Sequence, residues 1–214
     1  MAREGGHLGH KRRYRLSTQT GLNLRMKRPR RHISAAHRAA QPGAAQQGEV
    51  WAMDVIAAQL YDGRRSRALT VVDVFTRECL AILVDQRLTG ADVVGTVRQI
   101  SELRGSPDRI GVDNGSEFIS KVLDLWAHQC GVTLDCSRPG TPTDHPSTLS
   151  FHGRFRDECL NIHWFLSLDD AAEKIETWRG DYNHLRPHSS LEHLAPSAYR
   201  ARSASTLRPQ GPPT

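Results

Sequence analysis

The chain has 214 residues, 38% of them hydrophobic and 24% charged, with a formal net charge of +6. That length suits one ordinary domain plus an appendage, and the composition excludes a disordered chain. The apolar runs are too short to cross a membrane, and the basic N-terminus lacks the apolar stretch of a secretory signal, so a cytoplasmic protein is expected.

The charge is unevenly placed. Residues 1–48 hold 11 Lys/Arg against one acid, Glu4, a net of +10, which leaves 18 Lys/Arg against 22 Asp/Glu in residues 49–214. A basic segment ahead of a mildly acidic body points to a polyanionic partner, most simply DNA. The four cysteines, Cys79, Cys130, Cys136 and Cys159, form no C-x-x-C pair and no zinc spacing, so they read as ordinary reduced thiols.

Residues 1–48 divide into a basic arm, KRRYRLSTQTGLNLRMKRPRRH, and an Ala/Gln/Gly/Pro-rich linker. In the arm, Arg12, Arg13, Arg25, Lys27, Arg28, Arg30 and Arg31 are candidates for contacts with DNA phosphates. Residues 49–201 have the texture of a folded core, and 202–214 read as a disordered tail.

The core opens with β-rich runs at 50–60, 67–77 and 78–86, the first two joined as a hairpin through YDGRRS. Thr89 and Asp92 then start a helix, with Val93, Val97 and Ile100 on one face and Gly105 at its end. A short buried strand at 107–115 stops at Asn-Gly. The spacing predicts an amphipathic helix over 116–131, with Phe118, Val122, Leu125 and Trp126 on one face and Gly131 closing it. A fifth strand follows at 132–139, then a helix within TPTDHPSTLSFHGRFRDECLN (141–161), and then a helix capped by Ser167. The order β-β-β-α-β-α-β-α-α implies an α/β fold of the ribonuclease H-like kind, a mixed five-stranded sheet flanked by helices.

Two acids stand out. Asp54 lies mid-strand between Met53 and Val55, where a carboxylate is costly unless something compensates it. Asp113 ends a buried strand in VDNGSEF, a place that serves a ligand site or simply an Asp-Asn-Gly turn. Two strand-borne carboxylates that meet suit Mg²⁺, which prefers oxygen ligands and bridges to phosphates. Two-metal phosphodiester chemistry normally needs a third acid, and the helix after the fifth strand is the natural element to supply it.

Several stretches, taken together, resemble one family: WAMD (51–54), GRRSRALTVVDVFTRECLA (63–81), VDNGSEF (112–118), RPGTP (138–142), FHGRFRDECLNIHWFLSL (151–168) and DYNHLRPHSSL (181–191). They resemble the integrase-like core of bacterial insertion-sequence transposases, related to retroviral integrases, in order and from about residue 10 to about residue 200. The resemblance implies strand transfer on DNA by three acids, Asp-Asp-Glu, that hold Mg²⁺ or Mn²⁺. Asp54 matches the first acid and Asp113 the second, so these two are the expected catalytic and metal-binding residues. The family places its glutamate 36 positions after the second acid, and that position is Leu149. The basic residue expected seven positions further on is present as Arg156, with Arg154 beside it as a second candidate DNA contact.

The surrounding motif also departs from the family. Where the family has Asn-Ala-Phe-Ile-Glu-Ser-Phe-Asn-Gly, this chain has His145-Pro146-Ser147-Thr148-Leu149-Ser150-Phe151-His152-Gly153. Rescue by Asp144, Asp157 or Glu158 is disfavoured, because the first lies too early and the family has the other two alongside its own glutamate. The resemblance also implies a fuller helix-turn-helix than residues 1–48 supply, so an N-terminally truncated protein is expected. The functional expectation is therefore an integrase-type core for DNA transposition, catalytically degenerate at Leu149. Its expected partners are DNA and either further copies of itself or an intact transposase. The alternative is a non-enzymatic DNA-binding or transposase-partner remnant.

Overall fold

Two apolar registers run along the first strand, and each is covered by helices. The computed structural model describes Arg12 and residues 43–113, 115–136 and 146–206. Met1–Gln41 and Pro42–Thr214 form two compact units. In the second unit the strands are β1 (Val50–Gln59), β2 (Arg65–Asp73), β3 (Cys79–Asp85), β4 (Arg109–Val112) and β5 (Thr133–Cys136). The helices are α1 (Gly90–Arg104), α2 (Lys121–Cys130), α3 (Pro146–Phe155), α4 (Leu168–His184) and α5 (Pro196–Thr206). A single π turn, Arg156–Leu160, continues α3.

The sheet order is β3-β2-β1-β4-β5, with β1/β2 and β2/β3 antiparallel and β1/β4 and β4/β5 parallel. This is the mixed five-stranded sheet that the sequence pattern implies. Its central strand β1 is apolar almost throughout because both of its faces are covered. On one face Trp51, Met53, Leu69, Val71 and Ile110 pack with Val93, Val97 and Ile100 of α1 and Leu123 and Trp126 of α2. On the other, Ile56, Ala68 and Val72 pack with Phe151 and Phe155 of α3 and Ile175 and Tyr182 of α4. Aromatic pairs tie α3 to α4: Phe151 lies 5.0 Å from Tyr182 and Phe155 4.9 Å from Trp178, between ring centroids.

Two helix starts follow the sequence cues. Thr89 and Asp92 form the reciprocal capping box of α1, and the Ser167 hydroxyl accepts from the Asp170 N–H at the start of α4. Gly90 is required by close approach, since a Cβ there would sit 2.2 Å from Ser120 Oγ, the capping atom of α2.

The helix predicted over 116–131 is shorter and turned. It begins at Lys121 with Ser120 as its cap, so Phe118 is buried from the preceding turn. Its inward face is Leu123, Trp126 and Ala127, while Val122 and Leu125 are more than half exposed. The predicted face fails because it counts Phe118 as helical. Measured from the real start, positions three and four beyond Leu123 face the sheet. The strand predicted over 67–77 ends at Asp73, where Asp73 Oδ1 accepts from both the backbone N–H and the hydroxyl of Thr76 and closes a turn. Among the described residues no helix is long and apolar enough to cross a membrane.

Candidate active site

The sheet brings the two predicted acids together. Asp54 pairs with Thr70 across the antiparallel β1/β2 ladder. On its other side β1 runs parallel to β4 with Ala52 beside Gly111, an offset that, carried two residues on, sets Asp54 beside Asp113. Neighbouring strands lie about 4.8 Å apart, so Thr70, Asp54 and Asp113 form one row across the sheet. Their charges couple: Asp113 and Glu117 both push the Asp54 carboxyl upwards.

Asp54 occupies a position in the apolar register that faces α3. Burial is the largest effect on its carboxyl and, against the Val55 N–H that donates to Oδ1, carries its pKa up to about 6. Its other oxygen, Oδ2, lies 3.2 Å from Nδ1 of His152. His152 is itself nine-tenths buried, and burial together with the Arg156 charge lowers its pKa to about 4. Near neutral pH the ring is therefore uncharged, and its contact with Asp54 is not an ion pair. The second ring nitrogen, Nε2, is 3.0 Å from Thr70 Oγ1, and Thr70 Oγ1 is 3.1 Å from the Asp54 carbonyl oxygen, to which it donates. Asp54, His152 and Thr70 thus close a small polar ring inside an apolar face.

Asp113 follows β4, and its Oδ1 accepts from the Gly115 N–H at 2.8 Å. The glycine here serves the acids rather than a special backbone angle. A Cβ at residue 115 would meet Asp113 Oδ1 and Glu117 Cδ, each at 2.9 Å. Glu117 is almost fully buried and is held by Arg67 of β2 at 2.7 Å and by the Ser116 hydroxyl at 3.0 Å.

The third expected position does not point into this cluster. The Leu149 side chain on α3 is 51% exposed, while His152, one turn later, reaches Asp54. Asp144 lies outside the described residues. Asp157 is exposed on the π turn, and Glu158 is committed to Arg186, with Arg154 3.9 Å away. Among the described residues no three His, Cys, Asp or Glu side chains converge as a set able to hold a metal ion. The donor set therefore does not fit the Asp-Asp-Glu pattern that the family uses for Mg²⁺. Two of its members are present, and the third has no ligating atom.

The two predicted arginines part company. Arg156, at the start of the π turn, acts on both Asp54 and His152 and borders an open groove with Gln59, Arg65, Ser66, Arg67 and Asn161. Arg154 faces Glu158 and a separate pocket lined by Arg77, Tyr182 and His188. Of the predicted arm contacts, Arg12 is helical and exposed, whereas Arg13, Arg25, Lys27, Arg28, Arg30 and Arg31 lie outside the described residues. Thr70, His152, Glu117, Arg65 and Arg67 do not stand out in the sequence. A partial signal exists for two of them: His152 is three residues beyond Leu149 on the same helix, and Glu117 closes the VDNGSEF motif.

The Integrase core domain family matches residues 44–142 and, in a second segment, 130–196. An insertion element IS407 protein of Burkholderia multivorans is 44% identical over 207 residues, which are 96% of this chain and 74% of that protein. The chain belongs to the integrase-core family of insertion elements. An insertion element IS476 protein of Xanthomonas euvesicatoria is 38% identical over 96% of this chain, which spans 60% of that protein's length. This integrase-core chain also has the fold of the HTLV-2 integrase catalytic core domain solved with magnesium. The TM-score is 0.55 at 17% identity, over 73% of this chain and 98% of that one. The ribonuclease H-like architecture and the resemblance to insertion-sequence transposases are both borne out.

Proposed function

We propose that this integrase core serves DNA transposition as a DNA-engaging unit whose Mg²⁺-dependent phosphoryl transfer is lost. The observation that carries the reading is Leu149, a half-exposed hydrocarbon side chain at the position where the family pattern requires a carboxylate. A divalent metal pair, when held, stabilises the attacking and leaving oxygens at a phosphodiester. Asp54 and Asp113 would be its first two ligands, and a third carboxylate at residue 149 would lie one helical turn from His152. Without it, no route through that metal pair follows from these residues.

What the chain's own groups support is binding. Arg65 and Arg156 are exposed along one groove, and the half-buried Arg67, which also lines it, bonds Glu117. Such a row suits the phosphates of a DNA strand, and contacts of this kind position the duplex without reading its sequence. The basic character of residues 1–48 adds to the same salt-sensitive affinity. Assembly with further copies, or with an intact transposase that supplies the missing acid, follows as the cellular role. The test is strand transfer on matched DNA ends with Mg²⁺ or Mn²⁺, run beside a duplex-binding assay. Binding without product supports the reading, and product that Asp113→Asn abolishes defeats it.

A further inference from the structure

We infer that His152 and Asp54 form a binding site for a single borderline transition cation, of the Mn²⁺, Co²⁺ or Zn²⁺ class, that takes Mg²⁺ poorly. The inference rests on the reading above, in which the three-carboxylate set is incomplete, and it concerns the residue one turn beyond the gap.

The geometry carries it. His152 Nδ1 and Asp54 Oδ2 are 3.2 Å apart. A cation about 2.1 Å from each atom would be held at an angle of about 100°, within the range such ions accept. The hydrogen bonds around the ring prepare the same nitrogen. Thr70 Oγ1 lies within reach of both His152 Nε2 and the Asp54 carbonyl oxygen, at 3.0 and 3.1 Å. With the Thr70 hydroxyl donating to that carbonyl, only Nε2–H can supply the bond to Thr70 Oγ1. A neutral imidazole carries one N–H, so Nδ1 then presents a lone pair toward the Asp54 carboxylate. Two acceptors face each other across 3.2 Å, which is the arrangement that a cation between them satisfies. Ligating histidines are usually oriented in the same way, by the far ring N–H donating to an oxygen acceptor.

A second arrangement of the same atoms keeps the site closed without a cation. The Thr70 hydroxyl turns to donate to Nε2, and Nδ1–H donates to Asp54 Oδ2. The two states differ by one hydroxyl rotation and one tautomer shift, with no change in the number of bound protons. The local charge favours the open state when a cation arrives. Asp54, Asp113 and Glu117 stand against Arg67 and Arg156, a balance of one negative charge. Ligand type sets the choice of ion: imidazole suits Mn²⁺, Co²⁺ and Zn²⁺ increasingly well, whereas Mg²⁺ prefers an all-oxygen shell.

The experiment is Co²⁺ titration of the full chain followed by calorimetry and by the imidazole NMR resonances. Cys130→Ser and Cys136→Ser are included to remove the two exposed thiols. The expected result is saturable binding that shifts or broadens the His152 ring signals. His152→Ala and His152→Asn should each weaken it by about tenfold or more, with Mg²⁺ binding unchanged. In an Asp54→Asn background the histidine substitutions should have no further effect. The asparagine variant keeps a polar partner for Thr70, and thermal melting checks that both variants fold. Equal or tighter Co²⁺ binding by the folded histidine variants would overturn the inference, because it would make His152 a plug on the carboxylate rather than a ligand. Wild-type binding that Asp54→Asn leaves intact would overturn it too. Strand transfer is not read here, so failure of this site and failure of the proposed loss of Mg²⁺ chemistry are told apart.

Discussion

The β1–β2 hairpin carries Asp73, buried at its open end, and Asp54, half-buried three rungs further in, and the two are treated in opposite ways. At one end Asp73 accepts from the Gly48 N–H, the Thr76 N–H and the Thr76 hydroxyl, all within 2.9 Å. Beside it Glu78 is held by both guanidinium nitrogens of Arg104 at 2.9 Å, with Arg200 3.4 Å away. Three rungs further along the ladder, Asp54 has, among the described residues, no Lys or Arg in direct contact and takes a neutral imidazole as its partner. The first cluster is satisfied by the protein itself, so its role is structural. The second is left electrostatically incomplete, and burial then works against its charge. Under the proposed function, that incompleteness is what leaves Asp54 free to meet a ligand.

The largest expected effect lies at the satisfied end. Arg104→Ala leaves Glu78, 5% exposed at its side chain, without its bidentate partner. Urea unfolding should show a loss of about 3 kcal/mol, the usual cost of breaking a buried pair on one side. Asp54→Asn should cost far less or stabilise, because it removes a charge that burial disfavours. Equal losses at the two sites would erase the contrast.

Next in size is pH. Asp54 has a folded pKa near 6, above its ordinary 3.8, so it contributes stability at low pH that is lost as pH rises toward 6. His152 has a folded pKa near 4, below its ordinary 6.5, so it contributes stability at neutral pH that is lost as pH falls toward 4. Asp113, Glu117 and Arg156 face the pair, and the two contributions oppose each other between about pH 4 and 6. Asp54→Asn should make stability rise with pH in that window, and His152→Asn should make it fall. Parallel slopes in the two variants, measured by urea midpoint against pH, would contradict the assignment.

The smallest effect is on binding. Arg156→Ala should leave the melting temperature nearly unchanged and lower the slope of log affinity against log salt for duplex DNA by about one. Arg154→Ala, whose side chain is turned to Glu158, should change that slope less. The reverse order would move the DNA track away from Asp54.

How much of this was legible in the sequence depends on distance along the chain. The element order follows from local periodicity and capping residues, as at Thr89 and Ser167. Asp54 and Asp113 were found because one is an acid inside an apolar run and both sit in motifs that resemble a known family. The partners of Asp54 were not found. Thr70 is opposite it only through the register of the hairpin, and His152 reaches it from a helix nearly a hundred residues later. Arg67 and Glu117 pair across fifty residues, a contact that no local pattern encodes. The inward face of α2 was misjudged for a different reason: a start placed a few residues early rotates every later position.

Under the proposed function, Leu149 in the place of the third acid is what separates this core from Mg²⁺ chemistry at Asp54 and Asp113. Strand transfer of matched DNA ends, wild type beside Leu149→Glu in Mg²⁺, measures it directly. No product is expected from the wild type, and product is expected from Leu149→Glu that a further Asp113→Asn removes. Wild-type product in Mg²⁺ that Asp113→Asn abolishes would contradict it.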